Sequence, residues 1–241
     1  GDPCRRPARK TGEPRRSELD GPSSNLMMEP AASTVTPEEE EGEDEVEAAA
    51  EMRMASIHRG FAVAKAKGIP AATRLMKELR QVCLTGSFEV DLVNDDLMVW
   101  EVTLFDWVFD PSSKLHQDLE AISVANSDLF AVILRIHFPA DFPFAPPLVY
   151  IARPTLRSEH IFDGALCMEM LVDWQPQYGN IEFMLVQICA FLSGSGARVE
   201  SACAKEGCDH KSAGATHESA KRAYERLKAF HNKQGWSSAG L

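Results

Sequence analysis

The chain has 241 residues, of which 44% are hydrophobic, so it is long enough for one domain with a substantial core and a tail. Its net charge of −11 argues against a general nucleic-acid-binding protein, because such proteins are basic. No segment approaches the roughly 20 consecutive apolar residues of a membrane-spanning helix, so neither nucleic acid nor a membrane is an expected partner.

The cysteine usage indicates a reducing, intracellular setting. The basic N-terminal residues lack the apolar run of a secretory signal, and the cysteines are widely scattered. Disulfides are rare in the cytoplasm and the nucleus, so we expect one or both of these locations. A single cysteine there is either a buried structural thiol or a chemical one. The six are Cys4, Cys83, Cys167, Cys189, Cys203 and Cys208.

Residues 1–66 have the composition of a disordered tail. The first part is rich in Pro and Arg, and residues 38–47 (EEEEGEDEVE) carry like charges that repel one another and bury nothing. A solvated linker and an interaction tail both fit this composition. A short helix from Val46 to Ala66 also fits, although its apolar face is thin. We therefore expect the folded domain to span residues 67–241.

An amphipathic helix follows Pro70, because apolar residues recur there at helical spacing and basic residues lie on the other side. Four strands come next. Residues 88–93 and 97–105 flank a turn signal and predict a hairpin, and residues 129–138 and 147–154 predict two more strands. Residues 110–128 are expected to be a polar connection.

Two capped helices close the chain. Asn180 is the expected cap of one helix and Thr216 of the other. The apolar face predicted for the last helix consists of Ala220, Ala223, Tyr224, Leu227 and Phe230. This order of elements predicts the α+β class, with helices segregated from an antiparallel sheet.

Two motifs resemble those of the ubiquitin-conjugating enzymes. Residues 138–147 (FPADFPFAPP) form a rigid loop of prolines and aromatic residues, and GALCMEML follows with Cys167 at its centre. The segments RLMKELR, VDLVNDDLMVWEVTL and YERLKAFHNKQGW are similar to those of the divergent Q-type branch, in the same order. The resemblance implies the fold of that family: an N-terminal helix, a four-stranded antiparallel meander and C-terminal helices.

The resemblance also implies a role for Cys167. This thiol would receive ubiquitin from a ubiquitin-activating enzyme as a thioester and transfer it to a ubiquitin ligase or a protein substrate, with no cofactor. A thiol suits this task because its thiolate is nucleophilic and its acyl product stays reactive toward amines. Taken without the motifs around it, Cys167 would be interpreted as a core residue.

One departure from the family concerns catalysis. The His-Pro-Asn triplet that usually precedes the cysteine is absent, as it is in the Q-type branch, which leaves the oxyanion donor open. Backbone N–H groups near Cys167 or the side chain of His160 are candidates. His160 is also a candidate base, or a surface residue that shapes the loop. In the region where the family usually has an acidic residue that activates lysine, Glu200 is the only acid. Because this lysine-activating machinery is weak, we expect hydroxyls or a ligase cysteine to serve as acceptors in addition to lysine.

The resemblance assigns partner-binding surfaces. The basic face of the first helix would meet the activating enzyme, or is simply a solvated face. The exposed aromatic Phe144 and the loop around Pro176 would meet a ligase, while Phe138 and Phe142 are expected to pack in the core. The residues of the basic face are Arg74, Lys77 and Arg80.

No metal site is expected. Cys203, Cys208, His210 and His217 are of metal-ligand types, but their spacing matches no compact zinc pattern, which favours a flexible insertion with free thiols.

Two other interpretations of the chain stay open. The chain could be a non-catalytic scaffold of the same fold that binds ubiquitin or a ligase. It could also be an unrelated adaptor in which Cys167 only packs. The retained cysteine favours the enzyme over the scaffold, and the ordered motifs disfavour the adaptor.

Overall fold

The computed structural model describes residues 37–125, 131–200 and 214–234. Its helices are α1 (Pro37–Ala66), α2 (Ala72–Thr85), α3 (Lys114–Ala125), α4 (Glu169–Val172), α5 (Ile181–Gly194) and α6 (His217–Gln234). Its strands are β1 (Glu89–Val93), β2 (Asp96–Phe105), β3 (Ala131–His137), β4 (Leu148–Arg153), β5 (Leu156–Arg157), β6 (Ile161–Phe162), β7 (Ala165–Leu166) and β8 (Arg198–Val199). Short 3-10 turns lie at Asp106–Val108 and Pro176–Tyr178.

The predicted meander is confirmed. Strands β1 to β4 pair in sequence order, all antiparallel, and within the described residues β7 and then β6 extend the sheet beyond β4. One face carries the core, with Trp100 opposite Ile136 and both side chains fully buried. Helices α2 and α5 contribute Leu75, Leu79 and Ile188 to the same core, so the α+β class is confirmed.

Helix α1 corrects the expected disordered tail between residues 37 and 66. Apolar side chains at helical spacing pack on the core, with Ile57 and Ala64 buried and Met54 and Phe61 partly buried. Arg53 adds contacts across the sequence, with its guanidinium 2.6 Å from Asp91 and 2.9 Å from Glu89 on β1. The apolar face is thin, but this tertiary pairing gives the helix a place to dock. Residues 1–36 lie outside the described residues.

Helix α3 corrects the expected polar connection. Leu115 and Leu119 lie one helical turn apart and are both fully buried. The Oγ of Ser113 accepts a hydrogen bond from the His116 amide at 3.1 Å, which caps the first turn. Asp118 of α3 also pairs with Arg198 of β8, so contacts distant in sequence support this helix. Across the described part of the chain, no helix combines the length and apolar character that spanning a bilayer requires.

The two predicted helix caps are confirmed. Asn180 Oδ1 accepts from the Phe183 amide at 2.8 Å, and Thr216 Oγ1 accepts from the Ser219 amide at 3.2 Å. The predicted apolar face of α6 needs one correction. Phe230 is 50% exposed, whereas the neighbouring His231 is 7% exposed. The buried stripe therefore ends on an imidazole instead of a phenyl ring.

Helix α6 begins on the sheet face opposite the main core. Side chains alternate along a strand, so His137 faces away from the core residue Ile136. Its ring contacts the ring of His217, with centroids 4.3 Å apart, and its Nε2 lies 3.4 Å from Tyr150 Oη. Burial, aided by the nearby His217 and Arg135, lowers the pKa of His137 from 6.5 to about 4.

Helix α1 approaches the β1–β2 turn closely at Gly60, so a substitution of this glycine tests the docking of α1. A Cβ atom there would lie 2.6 Å from the Asp95 carbonyl oxygen and 2.8 Å from Leu92 Cδ1. We expect Gly60→Ala to lower the free energy of unfolding by about 1–3 kcal/mol, measured by urea denaturation. Alanine would otherwise favour a helix by about 1 kcal/mol, so a stabilised variant would contradict the docking. Val63→Ala, at an exposed position of α1, is the control.

His137 should make stability depend on pH. The unfolded chain takes up this proton near pH 6.5 and the folded chain near 4, so the contribution is present above 6.5 and is lost as the pH falls toward 4. We expect a loss of about 1 kcal/mol, reduced because the ring is only half-buried. Urea denaturation at pH 7 and pH 5 should show a smaller drop for His137→Gln. The exposed His58→Gln is the control, and an unchanged drop in His137→Gln would contradict this assignment.

Candidate active site

Cys167 lies between the end of β7 and the start of α4. Its backbone N–H donates to the His160 carbonyl oxygen at 2.9 Å, which closes the β6–β7 hairpin. The turn of that hairpin is Asp163-Gly164, with positive φ at both residues (47° and 81°), as a type I′ turn requires. The hairpin thus fixes the backbone that carries the thiol.

Gly164 allows α6 to approach this hairpin closely. A Cβ on Gly164 would lie 2.7 Å from the Ile151 carbonyl oxygen and 2.5 Å from Ala215 Cβ, just before α6. Arg226 of α6 also pairs with Asp163 at 3.0 Å on the surface. The start and the middle of α6 are therefore both held against the cysteine hairpin.

The side chain of His231 reaches the thiol. Its Nε2 lies 3.5 Å from Cys167 Sγ, although the two residues are 64 positions apart in the sequence. His231 is buried and sits in the last turn of α6. A thiol beside an imidazole is an arrangement that supports proton transfer to and from the sulfur.

Among the described residues, the thiol also lies against an apolar cluster. Cys167 and Tyr224 pack against a small cluster of buried side chains made of Ala165, Val172, Ala223 and Leu227. Burial raises the pKa of the Cys167 thiol, because a thiolate is poorly solvated there. The resting thiol is therefore neutral, and a base beside it has a proton to accept.

His160 meets Cys167 through its backbone. Its carbonyl oxygen accepts the Cys167 amide, while its exposed ring lies 6.1 Å from the ring of Phe191, measured between centroids. Because the Cys167 N–H is already engaged, that group is not an available oxyanion donor in this structure. The backbone N–H of Glu200 donates to the Thr155 carbonyl at 3.0 Å and continues the β5–β8 pairing.

The two loops expected to meet a ligase lie side by side. Trp174 Nε1 donates to the Pro143 carbonyl at 2.8 Å, and this bond ties the 142–144 loop to the 175–179 loop. Phe144 is 78% exposed and Pro176 is exposed. Phe138 and Phe142 are buried, as expected. The structure therefore places the two candidate partner residues on neighbouring surface loops.

The basic face of α2 is only partly available to a partner. Lys77 and Arg80 are exposed. Arg74 is exposed as well, but its guanidinium also donates to the Gly179 carbonyl at 3.0 Å and pairs with Glu78 at 3.2 Å. Glu78 in turn accepts the Ile181 amide at 3.1 Å. Arg74 thus braces the 175–179 loop and the start of α5 from α2.

Sequence reasoning did not single out His231 or Tyr224 as site residues. The signal was present in YERLKAFHNKQGW, since that segment resembles the closing helix and His…Gly-Trp tail of the Q-type branch. The apolar pattern pointed to Phe230 in place of His231, because a histidine does not register as an apolar position. Only the docking of α6 reveals which of the two residues faces Cys167.

Three of the four residues of metal-ligand type lie outside the part of the chain that the structure describes. Cys203, Cys208 and His210 lie outside the described residues, and His217 packs on His137. Among the residues that the structure does describe, no group of three or more His, Cys, Asp or Glu side chains could hold a metal ion.

Solved structures similar to this one include two ubiquitin-conjugating enzymes. An E2 from Plasmodium falciparum aligns with 52% of this chain and 84% of its own, with a TM-score of 0.41 and 22% identity. Human ubiquitin-conjugating enzyme E2 G1 aligns with 52% of this chain and 96% of its own, with a TM-score of 0.40 and 18% identity. No protein-family model matches the chain.

Sequence relatives give a firmer comparison. Human ubiquitin-conjugating enzyme E2 Q1 is 35% identical over 176 residues, which cover 70% of this chain and 39% of that protein. The chain thus matches well under half the length of that relative. Mouse (Mus musculus) ubiquitin-conjugating enzyme E2 Q-like protein 1 is 33% identical over 166 residues, which cover 67% of this chain and 95% of that protein. With this identity across nearly the whole of a relative, the chain belongs to the ubiquitin-conjugating enzyme family, in its Q-type branch.

Proposed function

We propose that this chain is a ubiquitin-conjugating enzyme that carries ubiquitin as a thioester on Cys167, within a catalytic domain built on residues 67–241 and the docked half of α1. The observation that carries the proposal is the 3.5 Å contact between Cys167 Sγ and His231 Nε2 in a member of this family. The proposed partners are ubiquitin, an activating enzyme, a ligase and a protein substrate, in the cytoplasm or the nucleus.

Charging is a thioester exchange. The Cys167 thiolate attacks the carbonyl carbon of the ubiquitin C-terminus on the activating enzyme, a new carbon–sulfur bond forms and the activating enzyme's thiolate leaves. Because burial raises the pKa of Cys167, the proton must first be removed from its thiol. His231 Nε2 is positioned to accept that proton.

Discharge uses the same imidazole in a second step. An acceptor attacks the thioester carbonyl, the carbon–sulfur bond breaks and the Cys167 thiolate leaves with the electron pair. His231 takes the proton from the attacking group as its bond to carbon forms. Within the described residues, the polar contact of the thiol is this imidazole and not a carboxylate. The contact therefore supplies no negative charge to attract a cationic lysine. A neutral hydroxyl suits an imidazole base better.

The partner surfaces follow from exposure. Lys77 and Arg80 form the solvent-facing part of α2 proposed to meet the activating enzyme. Phe144 and Pro176 form the proposed ligase surface, and the Trp174 hydrogen bond keeps their loops together. Arg74 supports this surface indirectly, because its hydrogen bond to the Gly179 carbonyl holds the 175–179 loop in place.

Charging is the first test. Incubation with activating enzyme, ATP and ubiquitin should give an adduct of one ubiquitin that disappears on a gel run with reductant, because a thioester is cleaved by thiols. Cys167→Ala should give no such adduct, while Cys189→Ala should still be charged, because that thiol is buried and burial raises its pKa to about 12. A folded protein that is never charged, beside a control enzyme that is, would favour the scaffold interpretation.

The acceptor is the second test. Single-turnover discharge of the charged enzyme should proceed to free serine and threonine as well as lysine. His231→Gln should slow discharge to the hydroxyl acceptors by about 100-fold, the usual size of a lost general base. His160→Gln, which keeps the backbone carbonyl that holds Cys167, compares the two histidines directly.

Two outcomes would contradict this account. Fast discharge to lysine alone would exclude the hydroxyl preference. A His160→Gln defect equal to that of His231→Gln would show that the base had been misassigned. His58→Gln, an exposed histidine on α1, controls for the loss of a histidine as such.

A further inference from the structure

Helix α6 presents one stripe of side chains to the cysteine loop. Tyr224, Leu227 and His231 lie three and seven positions apart, so they share a face of the helix. Leu227 and His231 are buried, and Tyr224 is partly buried against the same cluster as Cys167. The residue at the end of the stripe contacts the thiol, and the residue at its start makes a different contact.

Tyr224 makes a directional bond to the segment that follows Cys167. Its hydroxyl donates to the Leu171 carbonyl oxygen at 2.7 Å. Helix α4 is a single turn, in which the Glu169 carbonyl accepts from the Asp173 amide at 2.7 Å, and the Leu171 carbonyl is satisfied from outside the helix by Tyr224. Burial raises the pKa of the Tyr224 hydroxyl, which therefore stays a protonated donor at neutral pH.

A surface ion pair between α6 and this region is weaker than the Tyr224 bond. Arg226 and Asp163 are 70% and 59% exposed, and exposed ion pairs contribute little because water and salt screen them. The Tyr224 bond is short and lies beside the apolar cluster. Together with the packing of the apolar stripe, it restrains the position of α6 along its axis and its rotation near His231, because the helix between Tyr224 and His231 is rigid.

We propose that Tyr224 is a positioning residue, whose hydrogen bond to Leu171 sets the register of α6 on the cysteine loop and so keeps His231 Nε2 within reach of Cys167 Sγ. This inference rests on the proposed function. Without the bond, α6 can slide or rotate by a fraction of a turn while its apolar side chains remain packed. The imidazole then spends less time in the geometry that accepts a proton.

A double-mutant cycle tests this role. Tyr224→Phe keeps the ring and removes the hydroxyl, so charging should be slower but still reach completion, and single-turnover discharge to serine should fall about 3–10-fold, as expected for one hydrogen bond. In the His231→Gln background the same change should have less than about 1.5-fold effect, because the two residues act as one unit. A merely structural role would multiply the two losses.

Tyr150→Phe is the matched control. It removes a hydroxyl that contacts His137, at the other end of α6, and should leave discharge unchanged. Equal slowing by Tyr150→Phe would overturn the proposal, as would a Tyr224→Phe protein that discharges normally or that cannot be charged. Failure of the wild-type chain to charge would overturn the proposed function and this inference with it, so the two failures are distinguishable.

Discussion

The docking of α6 against β7 and α4 is the interaction on which the candidate site depends. Within the described residues, the imidazole that contacts the Cys167 thiol comes from α6 and not from the cysteine hairpin itself. Burial of Ala220, Ala223 and Leu227 holds the helix in place, and these contacts are non-directional. The polar contacts at its start, from His217 to His137, and in its middle, from Tyr224 to Leu171, are directional. The apolar and polar contacts together explain how a residue so distant in sequence comes to face the sulfur.

The site combines two opposing effects on the thiol. Apolar surroundings stabilise the neutral thiol, while the imidazole 3.5 Å away is positioned to accept its proton. The chain lacks the His-Pro-Asn triplet, and the Cys167 amide is engaged by the His160 carbonyl. In the proposed mechanism, transition-state stabilisation therefore comes from groups other than that N–H.

Local signals were sufficient for much of the fold. The β1–β2 hairpin, the caps at Asn180 and Thr216 and the cysteine motif are each encoded within a few neighbouring residues. The missed features depend on contacts across the sequence. Leu115 and Leu119 form a buried helix face that depends on the core covering them. Helix α1 adds to its thin apolar face the ion pairs of Arg53 and the close approach at Gly60, and these two residues carry no apolar signal. On α6, one residue step turns a side chain by about 100°, so pattern alone could not separate Phe230 from His231.

The separation of Cys167 and His231 along the chain has a consequence in terms of chain entropy. Because both residues belong to one chain, the imidazole stays at a high effective concentration near the sulfur. The entropy of closing a loop grows only with the logarithm of its length, by about 0.6 kcal/mol for each doubling. On that relation, a change in the number of residues between α5 and α6 alters the closure entropy little. A change in the length of this connection therefore costs little free energy. A change of the residues in the α6 stripe costs more.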